Sequence, residues 1–284
     1  MIINSQNTQS MQSKFLFILG FLFLFTACKN DSLIKRGDTV DVAFEKAMAM
    51  YQNEDYVDAA DAFETVTRVG RGTEYGQEAQ FYLAESYFKS RQYLLAASEY
   101  DRYISYYPQD ERRVDAEFKA ALCYYHQSPR YKLDQTPTRN AIERFQLFNN
   151  RYPDSEYVTQ AANYIDEMRN KLAHKTYEGA QFYIRTEQYE AAIIYLNQTI
   201  DRFPESKWAA RALVDQVETY IAYADNSILS KQQERYEKAI EAYEKFLQLF
   251  PESDMRAEIE NLHDEALNKL QDVVTGEEAS PEQS

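Results

Sequence analysis

Metal, redox and nucleophile chemistry all call for residues that this chain scarcely has. Its 284 residues include 2 Cys, 3 His and 1 Trp. Cys28 follows an apolar run, and Cys123 sits in a helical pattern between Leu122 and Tyr124. No CxxC spacing links them, so neither a disulfide framework nor a redox motif is expected; Cys123 reads as a small core residue. The three histidines, His126, His174 and His263, are scattered, and no HExxH, GxSxG or Walker glycine loop occurs. No catalytic residue, cofactor or metal is therefore expected. Glycine and proline are also scarce, at 7 each, and no period-two run appears, which excludes a sheet protein. Positive charge is short: 31 basic residues face 46 acidic ones, a net −15. Such a field repels phosphate backbones and anionic headgroups, so nucleic acid is excluded as a partner and membrane attachment would need a separate device.

The N-terminus supplies that device. Phe15–Phe25, FLFILGFLFLF, is an apolar run of 11 residues behind Lys14. As a helix it spans about 16 Å, roughly half of a bilayer's hydrocarbon core, so it suits a signal-peptide core and not a spanning helix. Thr26 and Ala27 precede Cys28, an order that resembles the bacterial lipobox, with Phe25 where that family prefers leucine. The resemblance implies cleavage after Ala27, lipidation of Cys28 and a mature chain beginning there. Two or more acyl chains would hold an acidic protein on a membrane that otherwise repels it. Lys29 stands where aspartate would favour inner-membrane retention, so the resemblance implies an outer-membrane anchor on the periplasmic side. Translation from Met11 would leave a compact signal of 17 residues.

The rest of the chain is organised around Tyr236–Pro251, YEKAIEAYEKFLQLFP. Tyr236, Ala239, Tyr243, Phe246 and Phe250 recur at steps of three and four, one face of a helix. Pro251 ends the helix near Phe250. Tyr189, Ala192, Leu196 and Phe203-Pro204 repeat the pattern upstream, as do Tyr93, Ala96, Tyr100 and Tyr107-Pro108. Ala141, Phe145 and Tyr152-Pro153 give a further copy, and Tyr56, Ala59 and Phe63 one without the proline. Helices carrying Ala84 and Tyr87, Ala121 and Tyr124, and Ala180 and Tyr183 precede the stripes. Recurring helix pairs of this kind make an all-α solenoid. With Ala84, Tyr87, Tyr93, Ala96, Tyr100 and Pro108 in order, the chain resembles the tetratricopeptide repeat (TPR) family, with a longer period than its usual 34 residues.

About five repeats are expected. Residues 1–27 form the signal and 28–40 a lipidated tether. Residues 41–153 form an N-terminal half of three helix pairs. Residues 154–273 form a linking helix, two further pairs and a capping helix, and 274–284 a disordered acidic tail. The pairs are expected at 42–52 with 56–69, 78–90 with 93–107, 114–127 with 138–152, 171–185 with 189–203, and 208–224 with 233–250. Gly70, Gly72 and Gly76 are assigned to one turn, and SPRYKLDQTP, bracketed by Pro129 and Pro137, to an inserted loop. Asp154 or Ser155 is expected to cap a long helix that runs to Arg185, either continuous or as a slightly kinked pair. The capping helix is expected over 257–273.

By TPR resemblance, the first helix of each pair lines an inner face. Its exposed positions here are Phe44, Met48, Tyr51 and Gln52; Phe81, Glu85, Phe88 and Lys89; and Phe118, Leu122, Tyr125 and His126. An aromatic groove with polar edges suits an extended peptide; the alternative is that half of these positions simply pack against the neighbouring repeat. The YPDSEY run at Tyr152–Tyr157, RNKLA at Arg169–Ala173 and YEAAI at Tyr189–Ile193 go beyond repeat consensus. With the lipobox and the fivefold layout, they resemble the BamD-type outer-membrane assembly lipoproteins. That resemblance implies a non-enzymatic scaffold of the β-barrel assembly (BAM) machinery. Its C-terminal half would bind periplasmic domains of the barrel-forming subunit, and its groove extended signals of unfolded outer-membrane proteins. Two alternatives share the anchor and repeats: another envelope TPR adaptor (a secretin pilotin or a division-linked protein), and a glycan-binding TPR lipoprotein.

Overall fold

Short polar turns divide the chain into helices, and buried alanines decide how closely those helices approach. The computed structural model describes residues 34, 35 and 37–278; the signal segment, Cys28 and most of the tether lie outside them, as do residues 279–284. Among the described residues there are eleven α-helices and no strand. Three belong to one compact unit, ending at Gln92: α1 (Val40–Gln52), α2 (Tyr56–Val69) and α3 (Glu74–Lys89). Eight belong to a second unit starting at Tyr93: α4 (Tyr93–Tyr106), α5 (Arg113–Gln127), α6 (Thr136–Arg151), α7 (Val158–Arg185), α8 (Tyr189–Arg202), α9 (Lys207–Asp225), α10 (Leu229–Leu249) and α11 (Arg256–Glu278). The division by contacts falls at Gln92, so residue 153 lies inside the second unit.

In the first unit, Ala43, Ala47, Ala59, Ala60 and Ala62 are fully buried around Phe63, Val66, Ala79 and Leu83. A methyl in place of a longer side chain lets neighbouring helices close to van der Waals contact, so Phe63 fills the space that remains. α3 begins at Glu74, four residues before the expected Glu78. Thr73 explains the early start, because its Oγ1 accepts a hydrogen bond from Gly76 N at 3.2 Å and caps the helix. Gly76 is thus helical and not part of the turn. A Cβ there would stand 2.1 Å from Gly70 O, so the turn before the helix requires glycine at that position.

In the second unit, one cluster gathers Phe118, Ala121, Ala141, Phe145, Phe148, Ala161 and Met168 from α5, α6 and α7. Another gathers Ala180, Leu196, Leu213, Val217, Ala239, Phe246, Ile259 and Ala266 from α7 to α11. The stripe read from the sequence packs as expected: Tyr236, Ala239 and Phe246 are buried, and Tyr243 and Phe250 half-buried against the same cluster. α7 is one continuous helix of 28 residues and contributes to both clusters. Gly179 lies within it because the Tyr195 ring would stand 2.8 Å from any Cβ.

Several expected boundaries move. Neither Asp154 nor Ser155 caps α7, which starts at Val158; Ser155 Oγ instead accepts from Tyr157 N at 3.3 Å in the turn before it. Pro137 lies in the first turn of α6, where its missing N–H leaves no bond unmade, so the inserted loop is 128–135. α10 begins at Leu229. α11 runs to Glu278, so residues 274–278, expected to be irregular, are helical.

Candidate functional site

Phe44, Met48 and Tyr51 lie at steps of four and three on α1, and Phe81, Glu85 and Phe88 repeat those steps on α3. The fold sets the two helices against each other, with the Tyr51 hydroxyl 3.5 Å from Glu85 Oε2, the limit of a hydrogen bond. Burial, and then the nearby Glu85 carboxylate, push the Tyr51 hydroxyl well above its ordinary pKa, so it stays a neutral donor. Its ring meets Tyr56 at 5.5 Å, Phe63 at 6.4 Å and Tyr82 at 5.2 Å, all edge-on. Phe44 lies 5.5 Å from Tyr75 and 5.9 Å from Phe63. Phe44, Met48, Tyr51 and Phe88 are half-buried, while Gln52 and Lys89 at the helix ends are exposed.

Phe81 and Glu85 take a different place from the one expected. They are 7% and 4% exposed, so they act in packing and offer little surface to a ligand. Their spacing is right for the inner face, but burial follows from what packs on that face, which one helix's sequence does not contain. Tyr75 and Tyr82 join the ring cluster without having been singled out. Tyr75 was hidden by the late start assigned to α3, and Tyr82 stands one step off the expected stripe.

The candidates on α5, in the second unit, divide in the same way. Phe118 is buried, stacked on Tyr157 at 4.5 Å and packed against Phe145 and Phe148 at 5.7 and 5.6 Å. Leu122 and Tyr125 are half-buried. The Tyr125 hydroxyl donates to Glu167 Oε2 at 2.7 Å, and its ring meets Tyr164 at 4.4 Å. Burial, and then that carboxylate, push Tyr125 up to about 12. His126 is exposed and stacks on Tyr93 at 4.5 Å.

The YPDSEY run forms the turn from α6 to α7 and lines a cleft of about 580 Å³ with Val114 and Asp115. Its two tyrosines reach back to α5: Tyr152 donates to Glu117 at 2.9 Å and Tyr157 to Asp115 at 3.3 Å. Both therefore hold helices in register. Among the described residues, no group of three or more His, Cys, Asp or Glu could hold a metal ion, and no helix is long and apolar enough to cross a membrane. The arrangement offers rings, half-buried apolar edges and neutral hydroxyl donors.

Comparison with known proteins gives this arrangement a context. A family model described as outer membrane lipoprotein (YfiO) matches residues 36–234, and a tetratricopeptide repeat model matches residues 227–253. The chain is 26% identical over 198 residues to outer membrane protein assembly factor BamD of Caulobacter vibrioides, covering 70% of this chain and 65% of that relative. It is 24% identical over 178 residues to BamD of Rickettsia prowazekii, covering 63% and 71% of the two chains. Against BamD of Vibrio cholerae it is 23% identical over 187 residues, covering 62% and 78%. The match to the Caulobacter relative thus spans a little under two thirds of that protein's length.

Proposed function

The chain belongs to the YfiO family of outer membrane lipoproteins, and from that premise we propose that it is a non-enzymatic scaffold of the outer-membrane β-barrel assembly machinery. The observation that carries the reading is the extent of the family match. It runs through α1 to α9 and into α10, including the long helix α7 and the inserted loop, and so exceeds what generic repeats would produce. Lipidation at Cys28 would tether the helices to the periplasmic face of the outer membrane, supplying the attachment that a chain of charge −15 lacks.

In this reading the C-terminal helices bind periplasmic domains of the barrel-forming subunit. The α1 and α3 face receives extended segments of unfolded outer-membrane proteins. Phe44, Met48, Tyr51 and Phe88 supply apolar contact there, and Gln52 and Lys89 polar edges. Leu122, Tyr125 and His126 play the same part on α5. Scaffolding of this kind needs surfaces and a tether, which is consistent with an all-helical chain built from packing residues.

Depletion of the protein in its host tests the proposal. Barrel proteins should fall broadly in the outer membrane while unfolded precursors accumulate in the periplasm. Loss confined to one secretin, with other barrels at normal abundance, would reassign the chain to the pilotin class.

A further inference from the structure

A basic, aromatic patch interrupts this acidic chain, and none of the residues proposed for peptide binding on α1, α3 and α5 belongs to it. The inserted loop 128–135 is docked on α7: Lys171 Nζ donates to Ser128 Oγ at 2.8 Å and Lys175 Nζ to Leu133 O at 2.6 Å. The buried Gln135 side chain fastens the loop from inside, donating to Arg130 O at 2.9 Å and Leu133 O at 3.1 Å. Docking lays the Tyr131 ring on His174 at 3.9 Å, and His174 in turn stacks on Trp208 at 4.0 Å, within 3° of parallel. Lys132 lies 5.7 Å from the Tyr131 ring and Lys207 5.2 Å from the Trp208 ring.

Lys132, Lys171, Lys175 and Lys207 thus gather about one three-ring stack, and none of them forms an ion pair with a carboxylate among the described residues. Lysines elsewhere on the surface do: Lys238 pairs with Glu241, Lys245 with Asp201 and Lys269 with Asp225. Two carboxylates border the patch, Asp134 near Lys175 and Glu178 against His174 at 3.3 Å. The Trp208 indole N–H finds no acceptor among the described residues.

We propose that this patch is a docking site for an acidic polypeptide segment of a partner protein, whose carboxylates meet Lys132, Lys207 and the indole N–H while its backbone lies along the Tyr131–His174–Trp208 stack. Charge complementarity selects the sign of the partner. The surrounding field selects its width: an anionic membrane plane would press against the acidic remainder of a −15 chain, whereas a narrow segment meets only the lysines. Stacked rings beside unpaired ammonium groups suit a peptide with alternating carboxylate and apolar contacts. The site uses none of the α1 and α3 residues assigned to peptide binding and does not depend on that assignment.

The chain's one tryptophan makes the test direct, because Trp208 lies within the site. An oligoglutamate peptide titrated into the full chain should shift Trp208 emission, and binding should weaken as salt rises. The double variant Lys132→Glu, Lys207→Glu, at two exposed positions, should weaken binding about tenfold or more at unchanged helicity. Lys238→Glu with Lys245→Glu should change it less than about twofold. Absence of oligoglutamate binding, binding that leaves Trp208 emission unmoved, or equal losses in the two double variants would overturn the proposal. Phosphatidylglycerol vesicles binding more tightly than the peptide, with the same sensitivity to Lys132→Glu and Lys207→Glu, would assign the patch to lipid and also overturn it.

Discussion

Phe63 and Tyr177 hold helices together in different ways. Phe63, fully buried in the first unit, packs through apolar contact, among buried alanines, Val66 and Leu83 and against three rings: Tyr82 stacked at 5.6 Å, Phe44 at 5.9 Å and Tyr51 at 6.4 Å. Tyr177, on α7 of the second unit, donates to Asp215 Oδ2 on α9 at 2.7 Å, and Gln181 reaches the same oxygen. Arg211 Nε lies 2.8 Å from the other oxygen of Asp215 and extends the link to Glu258 on α11. The pairing of tyrosine hydroxyl with carboxylate recurs through the second unit: Tyr125 with Glu167, Tyr152 with Glu117, Tyr157 with Asp115, Tyr223 with Glu190 and Tyr236 with Asp225. One such contact in the first unit, Tyr51 with Glu85, is stretched to 3.5 Å.

The difference explains two oddities of composition together. Tyrosine is abundant because its ring fills the repeat's aromatic positions, while its hydroxyl remains free to fix register with a neighbouring helix. Carboxylates outnumber cations partly because they are the acceptors for those hydroxyls. Ring packing is tolerant of small shifts, whereas a buried charge-assisted bond is directional. The Tyr177–Asp215 link is therefore held more closely in register than the longer Tyr51–Glu85 contact.

The largest expected effect tests the ring-packed side. Phe63→Ala should destabilise by about 3–5 kcal/mol, through lost transfer energy and a cavity among Tyr51, Tyr82 and Phe44. A thermal shift well below that would mean the cluster collapses around the gap. Next, Ala96→Leu on α4 should overpack a fully buried position by about 1–3 kcal/mol. Unchanged melting would remove Ala96 from the packing stripe. The Tyr→Phe pair addresses the contrast itself. Tyr177→Phe should lower stability by about 1–3 kcal/mol, because it leaves buried Asp215 short of a donor. Tyr51→Phe should stay within about 0.5 kcal/mol. Equal losses in denaturant melts would erase the distinction.

Acid should act on the same bonds. Burial pushes Glu117 upward, but hydrogen bonds from Arg151, Arg113 and Tyr152 outweigh it, so its folded pKa lies below the ordinary 4.5. A lowered pKa contributes stability that is fully present above about 4.5 and lost as pH falls through the folded value. Asp225 behaves alike, held down by Lys269 and Tyr236 against burial. Asp215 runs the other way: burial exceeds its hydrogen bonds and raises it, so its contribution declines as pH rises through the folded value. The melting-temperature gap between the wild-type protein and Glu117→Gln should therefore narrow below pH 4.5. A constant gap would place the stabilisation in packing alone. The smallest effect concerns binding: Tyr51→Ala with Phe88→Ala should weaken an extended barrel-protein peptide about tenfold at unchanged helicity. Unaltered affinity would take the α1 and α3 face out of recognition.

How far the sequence reaches is visible in particular residues. The Tyr236 stripe and the buried alanines follow from periodicity, because the 3.6-residue turn is a local property; whether α7 is continuous or kinked does not, and the structure shows one helix. The starts of α3 and α10, and the helical state of Pro137 and of residues 274–278, depend on single caps and neighbours and were read less well. Phe81, Glu85 and Phe118 carried the correct spacing and the wrong exposure, since burial is decided by another helix. The tyrosine–carboxylate pairs went unseen, although Tyr125, Tyr152, Tyr157, Tyr177 and Tyr223 lie 33 to 42 residues from their acceptors. That interval is about one repeat, so an acid one period away from a tyrosine is the sequence signal for such a pair. Docking of the inserted loop by Lys171 and Lys175 had no comparable signal, because it joins an irregular segment to a helix face.

Affinity purification of the full-length lipoprotein from detergent-solubilised outer membranes tests the scaffold role most directly. Recovery of a barrel protein carrying periplasmic domains, lost when Cys28→Ala removes the tether, is the expected result. Recovery of a secretin alone, or of no barrel protein at all, would contradict it.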